Sequence, residues 1–223
     1  KLYVTLEPCS HKGKTPPCTT TLIKAGVKKV VVAMPDPNPM VSGRGIKLLK
    51  DAGIEVDIGL LQSEAMELNR GFVKIMKTGR PFVTSKIAMS LDGGTAMSDG
   101  ESQWITSKAA RLDVHKLRSD NLAIMTGSGT IINDNPKMTA RLNDSETNPL
   151  RVIVDSGNMI SDQKLNIFSS DASTLILNDD NSSILPNGKI DLKLALIKRG
   201  DMGINNLLLE SGSGLNGAML EAG

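Results

Sequence analysis

Short strand-like segments alternate with helix-like segments along the whole chain, and this alternation restricts the fold more than any other feature. Strands are predicted, from two-residue periodicity or continuous β-branched runs, at 2–6, 27–34, 54–58, 82–89, 122–126, 150–155, 174–178 and 206–210. Helices are predicted, from apolar spacings of three and four, at 20–25, 45–52, 60–76, 107–119 and 192–199, with a last helix after a glycine-rich turn. Such alternation predicts an α/β fold with mostly parallel sheets.

One helix-breaking segment interrupts the alternation and predicts two domains. Helix 60–76 is followed by Lys77-Thr78-Gly79-Arg80-Pro81, and a second series of strands begins after it. We therefore expect one domain at 1–79 and another at 80–223. The stretch 178–191 is rich in Asn, Asp, Ser, Pro and Gly and is predicted to be a surface loop. Because the chain starts at Lys1 without a methionine, inside a predicted strand, we expect the first domain to lack its N-terminal part and the second to be cut short after Gly223.

Composition excludes several classes of function. One Trp, one Tyr and three Phe are too few for a platform of stacked aromatic rings that binds single-stranded nucleic acid. The formal charge of +2 gives no general attraction to nucleic acid or membranes. No stretch has the length of a transmembrane helix and no signal peptide opens the chain, so we expect a cytoplasmic protein with no nucleic-acid or membrane partner.

Two cysteines bracket a proline-rich loop after the first predicted strand. Cys9 stands at the beginning of this loop and Cys18 directly after it. Zinc ligands, catalytic thiols and inert core residues all remain open on this pattern. A catalytic zinc site takes three protein ligands and a water, so these two thiols would need one further ligand.

The second half of the chain offers candidates for binding a nucleotide and a phosphate. Gly212-Ser213-Gly214-Leu215-Asn216-Gly217 is a G-x-G-x-x-G pattern after a strand and before a helix, where backbone N–H groups can approach a pyrophosphate, although glycine turns after strands are common. Glu210 ends the preceding strand, at the sheet edge where α/β proteins bind ligands. Arg118 and Arg141 could each bind a phosphate, with a solvated surface charge as the alternative.

A longer set of motifs resembles the family of bifunctional riboflavin-biosynthesis deaminase/reductases. The resemblance covers essentially the whole chain and is weak at 143–148 and 159–203. The motifs that carry it are Leu6-Glu7-Pro8-Cys9-Ser10-His11, Thr15-Pro16-Pro17-Cys18, Val31-Val32-Ala33-Met34-Pro35-Asp36-Pro37-Asn38-Pro39, Gly43-Arg44-Gly45, Asn69-Arg70-Gly71-Phe72, Lys86-Ile87-Ala88-Met89-Ser90-Leu91-Asp92-Gly93 and Ser102-Gln103-Trp104-Ile105-Thr106.

The resemblance implies a fold and two reactions. The fold is a truncated three-layer domain similar to cytidine deaminase, followed by a domain similar to dihydrofolate reductase. The reactions are zinc-dependent hydrolytic deamination of a diaminopyrimidinone ribosyl phosphate and NADPH-dependent reduction of the product's ribose to a ribityl chain. Zinc and NADPH are the implied cofactors, a phosphorylated pyrimidine is the implied partner, and we expect a homo-oligomer.

The resemblance also implies site residues, position by position. The metal ligands in this chain are Cys9 and Cys18; the third ligand and the proton-shuttling Glu are expected upstream of Lys1, and Glu7 is expected to point elsewhere. The implied substrate contacts are Ser102, Arg118, Met138, Arg141 and Glu210. The implied cofactor contacts are Ala88, Trp104, Thr130, Asp134, Ser156, Gly212, Ser213, Gly214, Leu215, Asn216, Gly217 and Ala218.

Two positions depart from the family pattern, and two other functions remain open. Met138 stands where the family often has Leu, and Gly94 stands where a Lys or Arg is expected, which puts any charged contact from that position in doubt. The alternatives are an NADPH reductase with a non-catalytic zinc domain and a zinc-stabilised nucleotide-binding module without catalysis.

Overall fold

The computed structural model describes residues 1–13, 15–98, 101, 104–142 and 148–223. The chain forms two compact units, Lys1–Gly79 and Arg80–Gly223. Each unit is built on its own parallel sheet with helices, so the prediction of an α/β fold with parallel sheets is confirmed.

The first unit contains a three-stranded sheet in the order β1-β2-β3. Its elements are β1 (Leu2–Leu6), α1 (Cys18–Lys24), β2 (Lys29–Met34), α2 (Arg44–Asp51), β3 (Glu55–Ile58), α3 (Gln62–Leu68) and α4 (Arg70–Thr78). The β-branched run forms the central strand β2, in which Val30 and Val32 are fully buried with Leu49 of α2. A central parallel strand is covered on both faces, which explains why its sequence is continuously apolar.

The long helix predicted at 60–76 is wrong, because the structure has two helices there. Helix α3 ends at Leu68 and α4 begins at Arg70. Asn69 separates them with φ −102° and ψ 17°, and its side-chain Nδ2 donates to the carbonyl of Ala65 at 2.8 Å. Asn side chains compete in this way for backbone groups, which disfavours Asn inside a helix.

The second unit contains a five-stranded parallel sheet in the order β4-β8-β5-β6-β7. Its elements are β4 (Phe82–Lys86), α5 (Lys108–Ser119), β5 (Ala123–Gly127), α6 (Ser128–Asp134), β6 (Leu150–Val154), a 3-10 turn (Asn166–Phe168), β7 (Thr174–Leu177), α7 (Leu192–Asp201), β8 (Asn206–Glu210) and α8 (Ser213–Ala222). Successive residues of β8 belong to different core clusters, Leu207 and Leu209 to one and Leu208 to the other. The sheet therefore has an apolar core on each face.

Helix α6 is absent from the sequence-based prediction. It follows β5 without an intervening loop and contains Gly129 and two polar residues at its end, a composition with weak helical propensity. Its position brings Thr130 and Asp134 to the carboxyl edge of the sheet, the edge at which Lys86 of β4 pairs in register with Glu210 of β8. Among the described residues, no helix is both long enough and apolar enough to cross a membrane.

Candidate active site

A cavity of about 540 Å³ opens at the carboxyl edge of the five-stranded sheet. Its walls come from the ends of β4 and β8, from one face of α5, from α6 and from the segment that follows α6. Its lining residues are Lys86, Ile87, Ala88, Thr95, Trp104, Ile105, Thr106, Arg111, Val114, His115, Arg118, Thr130, Asp134, Pro136, Lys137, Met138, Arg141, Glu210, Ser211 and Gly212. Ligands of open parallel sheets bind at this edge, so the cavity is the candidate active site of the second unit.

Glu210 is the carboxylate at the floor of this cavity, and Arg118 fixes it. Arg118 Nε donates to Glu210 Oε1 at 2.6 Å, and Arg118 Nη2 donates to Oε2 at 2.8 Å. Arg118 Nη1 donates to the carbonyl of Thr139 at 3.1 Å, and Lys86 Nζ lies 4.0 Å from Glu210 Oε2. Only 9% of the Glu210 side chain is exposed. A bidentate pair of this kind is strong and directional, so the carboxylate is held in one orientation.

His115 and Arg141 form a second polar contact on the cavity wall. The backbone N–H of Arg141 donates to His115 Nδ1 at 3.4 Å, and Arg141 Nη2 lies 3.3 Å from His115 Nε2. Burial lowers the pKa of His115 below its ordinary value, and the positive charges of Arg141 and Arg118 lower it further. The imidazole is therefore neutral near neutral pH.

The cavity carries an excess of positive charge. Among the described residues, five cationic side chains line it, Lys86, Arg111, Arg118, Lys137 and Arg141, against the two carboxylates Asp134 and Glu210. With His115 neutral the excess is three positive charges. A cavity of this charge favours ligands that carry phosphate groups.

Trp104 forms an exposed part of the wall. About 70% of its surface is accessible, and the guanidinium of Arg111 lies 4.3 Å from the ring centroid. Arg111 Nη1 also donates to the carbonyl of Thr106 at 2.6 Å, so a single side chain of α5 contacts the loop at two points. A flat aromatic ring held this way can pack against a planar ligand group.

The structure brings nine of the seventeen site residues predicted for the second unit to this cavity. Those on its wall are Ala88, Trp104, Arg118, Thr130, Asp134, Met138, Arg141, Glu210 and Gly212. Ser156 and the residues of α8 from Ser213 to Ala218 are not among the lining residues. Ser102 lies outside the described residues. Which of these residues contact substrate or cofactor stays a prediction.

Three of the predicted residues have structural contacts that bear on their roles. Ser156 Oγ accepts the backbone N–H of Ile190 at 3.2 Å. Asn216 Nδ2 donates to the carbonyl of Ser211 at 2.8 Å, and Asn216 Oδ1 accepts from Ser85 Oγ at 2.6 Å. Met138 is only 2% exposed and packs in the core cluster that contains Ile131, so most of its surface faces the core and not the cavity.

Three of the cavity residues that the sequence-based prediction missed, Arg111, Val114 and His115, lie on α5 with the predicted residue Arg118. Arg111, Val114, His115 and Arg118 are spaced at i, i+3, i+4 and i+7 and therefore lie on one side of the helix. Once Arg118 is a candidate, this spacing singles out Arg111 and His115 as its neighbours. Lys86 gave a weaker signal, because a lysine at the end of a strand is most often a solvated charge.

Cys9 and Cys18 are neighbours at the carboxyl end of β1 in the first unit. The backbone N–H of Cys18 donates to Cys9 Sγ at 3.3 Å. A hydrogen bond to the Cys9 thiol, with a smaller effect of burial, raises the pKa of the Cys18 thiol. No group of three potential metal ligands exists among the described residues. The two thiols fit part of a zinc site, and the described part of the chain does not supply the remaining ligand that a catalytic zinc needs.

Glu7 is a structural residue rather than a proton shuttle. Its side chain is 3% exposed, and its two carboxylate oxygens accept four backbone N–H groups. These donors are those of Asp36 at 3.1 Å, Gly43 at 3.0 Å, Gly45 at 2.9 Å and Ile46 at 3.2 Å. The carboxylate therefore ties the end of β1 to the loop before α2 and to the first turn of α2, and the expectation that Glu7 points elsewhere agrees with this geometry.

A family model described as the RibD C-terminal domain matches residues 81–223, which is most of the chain. This chain belongs to the RibD C-terminal domain family. The resemblance to riboflavin-biosynthesis deaminase/reductases inferred from the motifs is thereby confirmed.

Curated RibD proteins match the chain over nearly its whole length. The riboflavin biosynthesis protein RibD of Bacillus amyloliquefaciens is 43% identical over 237 residues, covering 100% of this chain and 64% of that protein. The RibD protein of Escherichia coli K12 is 42% identical, covering 99% of this chain and 66% of that protein. The chain thus spans 64% to 66% of the length of these RibD relatives.

Solved RibD structures have the same fold. A diaminohydroxyphosphoribosylaminopyrimidine deaminase/5-amino-6-(5-phosphoribosylamino)uracil reductase from Thermotoga maritima matches with a TM-score of 0.88 and 37% identity, over 98% of this chain and 64% of that chain. The RibD protein of Acinetobacter baumannii matches with a TM-score of 0.88 and 42% identity over the same shares.

Proposed function

We propose that residues 80–223 form an NADPH-dependent reductase site that converts the ribosyl group of an aminopyrimidine ribosyl phosphate into a ribityl chain. The observation that carries this proposal is the cationic cavity at the carboxyl edge of the sheet, with Glu210 fixed at its floor. Membership of the RibD C-terminal domain family supports it, as does the name of the Thermotoga maritima protein, which includes a reductase of this substrate class.

The chemistry of the cavity fits a nicotinamide cofactor. NADPH supplies a hydride and carries three phosphate groups, and the cavity offers cationic side chains to bind such groups. We infer that Ala88, Trp104, Thr130, Asp134 and Gly212 contact the cofactor, because the resemblance assigns them and all five line the cavity. Ser156 and residues 213–218 complete the predicted set. Gly212 has no heavy atom within 4 Å of the position of an added Cβ, so its backbone borders open space that a phosphate can occupy.

Glu210 and the cations next to it would orient the sugar. Reduction of a ribosyl group to a ribityl chain adds a hydride to C1′, breaks the bond from C1′ to the ring oxygen and adds a proton to that oxygen. Glu210 can accept hydrogen bonds from ribose hydroxyl groups. Lys86 Nζ lies 4.0 Å from Glu210 Oε2, so its ammonium group would lie beside the bound sugar and is the candidate donor of the proton to the ring oxygen. Arg141 is available to bind the substrate phosphate.

The test is consumption of NADPH with the deaminated pyrimidine ribosyl phosphate as substrate. Glu210→Gln should lower kcat about 100-fold or more, because loss of an orienting or charge-stabilising group in an active site typically has an effect of this size. Glu221→Gln on the exposed side of α8 removes the same charge away from the cavity and should leave the rate unchanged. A chain that binds NADPH tightly without consuming it would instead support the nucleotide-binding module.

We further propose that Cys9 and Cys18 provide two ligands of a zinc site that serves deamination in RibD proteins. The contact between the two cysteines supports this, as does the word deaminase in the name of the Thermotoga maritima relative. The third ligand is not among the described residues. Metal analysis after zinc loading tests the proposal: Cys9→Ala should retain much less zinc than the unchanged protein.

Cytoplasmic location and homo-oligomerisation stay predictions.

A further inference from the structure

His115 contacts the phosphate-binding candidate Arg141 at two points but has no role in the function proposed above. It lies on α5, one turn before Arg118, on the helix face that lines the cavity. One ring nitrogen contacts the backbone N–H of Arg141 at 3.4 Å, and the other lies 3.3 Å from Nη2 of its guanidinium.

Arg141 needs such a contact in order to hold a fixed position. Among the described residues, no carboxylate lies within ion-pairing distance of it, in contrast to Arg118, whose guanidinium is bound to Glu210. Its other side-chain contact is a hydrogen bond of 3.4 Å from Nη1 to Thr139 Oγ1. A long side chain on an exposed residue loses considerable rotamer entropy when it binds an anion, and a neighbour that restricts it beforehand reduces that loss.

A histidine can restrict a guanidinium without neutralising it or repelling it. A carboxylate at this position would compete with phosphate for Arg141, and a lysine would repel the guanidinium. The neutral imidazole accepts one hydrogen bond. The tautomer with its proton on Nδ1 accepts from the Arg141 guanidinium at Nε2, and this is the tautomer that the proposed role requires; the other tautomer accepts only the backbone N–H of Arg141. The guanidinium keeps its positive charge available to a ligand.

We propose that His115 is a positioning residue that holds Arg141 ready to bind the substrate phosphate, and that this pair selects phosphorylated over unphosphorylated ribosides. The inference rests on the proposed reductase function and names the pair of residues responsible for its selectivity. His115 touches Arg141, not the reacting atoms, so its removal should change substrate affinity more than turnover.

The experiment compares His115→Phe, His115→Gln, Arg141→Ala and the double variant His115→Phe/Arg141→Ala. The phenyl ring keeps the volume of the imidazole without its nitrogens, and Gln restores an acceptor at about the reach of Nε2. Ribose 5-phosphate and ribose are titrated calorimetrically to isolate the phosphate contribution, and KM and kcat are measured with the deaminated pyrimidine substrate. Lys116→Ala, an exposed neighbour on α5 outside the cavity lining, serves as the control.

We expect His115→Phe to raise KM and the Kd for ribose 5-phosphate about tenfold or more, the effect of weakening a charge-assisted contact, with kcat within about twofold. His115→Gln should recover most of the loss, and the control and the Kd for NADPH should not change. In the double variant, the two effects should be much less than additive.

Additive effects in the double variant, or equal losses for ribose and ribose 5-phosphate, would overturn the role of His115. A wild-type chain that binds NADPH but not ribose 5-phosphate would overturn it as well. A wild-type chain that binds no NADPH would instead overturn the proposed function, so the two failures can be told apart. The unchanged Kd for NADPH in each variant verifies that the second unit is folded.

Discussion

Replacement of Glu7 by Gln should destabilise the first unit, because four backbone N–H groups depend on one carboxylate. Each oxygen of Glu7 accepts two of these N–H groups. A Gln side chain keeps one accepting oxygen, and its NH₂ group would face the other two N–H donors. Two hydrogen bonds are then lost, and two backbone N–H groups, at least one of them buried, are left without an acceptor.

The expected cost follows from those two groups. An unsatisfied buried donor costs about 1 to 3 kcal/mol, so Glu7→Gln should reduce the free energy of unfolding by about 1 to 6 kcal/mol, depending on whether one or two of these donors are buried. A domain of ordinary stability has only about 5 to 15 kcal/mol in total, so the effect is large relative to the whole. Gly45→Ala should be damaging for a separate reason, since an added Cβ would lie 1.9 Å from the carbonyl oxygen of Pro8.

Hydrogen exchange measured by mass spectrometry is the direct assay, because it reports on the first unit separately from the second. Peptides covering 36–46 should exchange faster in Glu7→Gln by a factor that matches the lost free energy. Glu55→Gln removes an exposed carboxylate from the same unit and is the matched control. If these amides exchange at the same rate in Glu7→Gln and in the control, the four hydrogen bonds do not stabilise the first unit as the geometry indicates.

Three further predictions concern the cavity and the zinc chemistry. Arg118→Ala and Arg141→Ala should each weaken substrate binding about ten- to a hundredfold, while NADPH binding stays unchanged. Arg118→Ala should also lower kcat because Glu210 loses its partner. Separate titrations of the two ligands check this, and a loss of NADPH binding alone would reverse the assignment of these arginines to the substrate. The pKa of His115 is lower in the folded chain than its ordinary value of 6.5, so the unfolded chain takes up the proton first and the stability of the second unit should fall as the pH drops below about 6.5. Denaturation at several pH values should show a smaller fall in His115→Gln, and an equal fall in both proteins would contradict this. The chain by itself should release no ammonia from a diaminopyrimidinone ribosyl phosphate, because no group of three metal ligands exists among the described residues and Glu7, the carboxylate next to Cys9 in the sequence, is bound to backbone N–H groups; release of ammonia would refute this.

The strands could be predicted from the sequence because each is a short apolar run whose burial is a local property. The break at Asn69 and the helix α6 could not be predicted. The break depends on the Asn69 side chain, which competes for the carbonyl of Ala65, and α6 forms from a glycine-containing segment with weak helical propensity. The contacts of Glu7 join residues 29 to 39 positions apart and leave no periodic signal.

The same distinction applies to the cavity. Glu210 and Gly212 could be placed at its edge because a strand end and a glycine turn are local features. Ser213 to Ala218 form the first turns of α8 and are not among the lining residues of the cavity, so their contact with the cofactor stays a prediction. The pairing of Arg118 with Glu210 and that of His115 with Arg141 arise only when α5 packs beside the sheet, and neither could be read from spacing.

The position of β8 in the sheet also determines the order in which the protein can assemble during synthesis. Among the described residues, strand β4 pairs only with β8, and its first residue Phe82 pairs with Asn206, 124 positions later in the chain. Until β8 leaves the ribosome, β4 and one side of β5 have no hydrogen-bonding neighbour, and exposed strand edges of this kind favour aggregation. Long-range pairing also makes folding slow, so these strand edges should stay exposed in the nascent chain until β8 inserts. Because Glu210 is the final residue of β8, the same insertion that gives β4 its hydrogen-bonding neighbour also brings Glu210 to the ligand cavity.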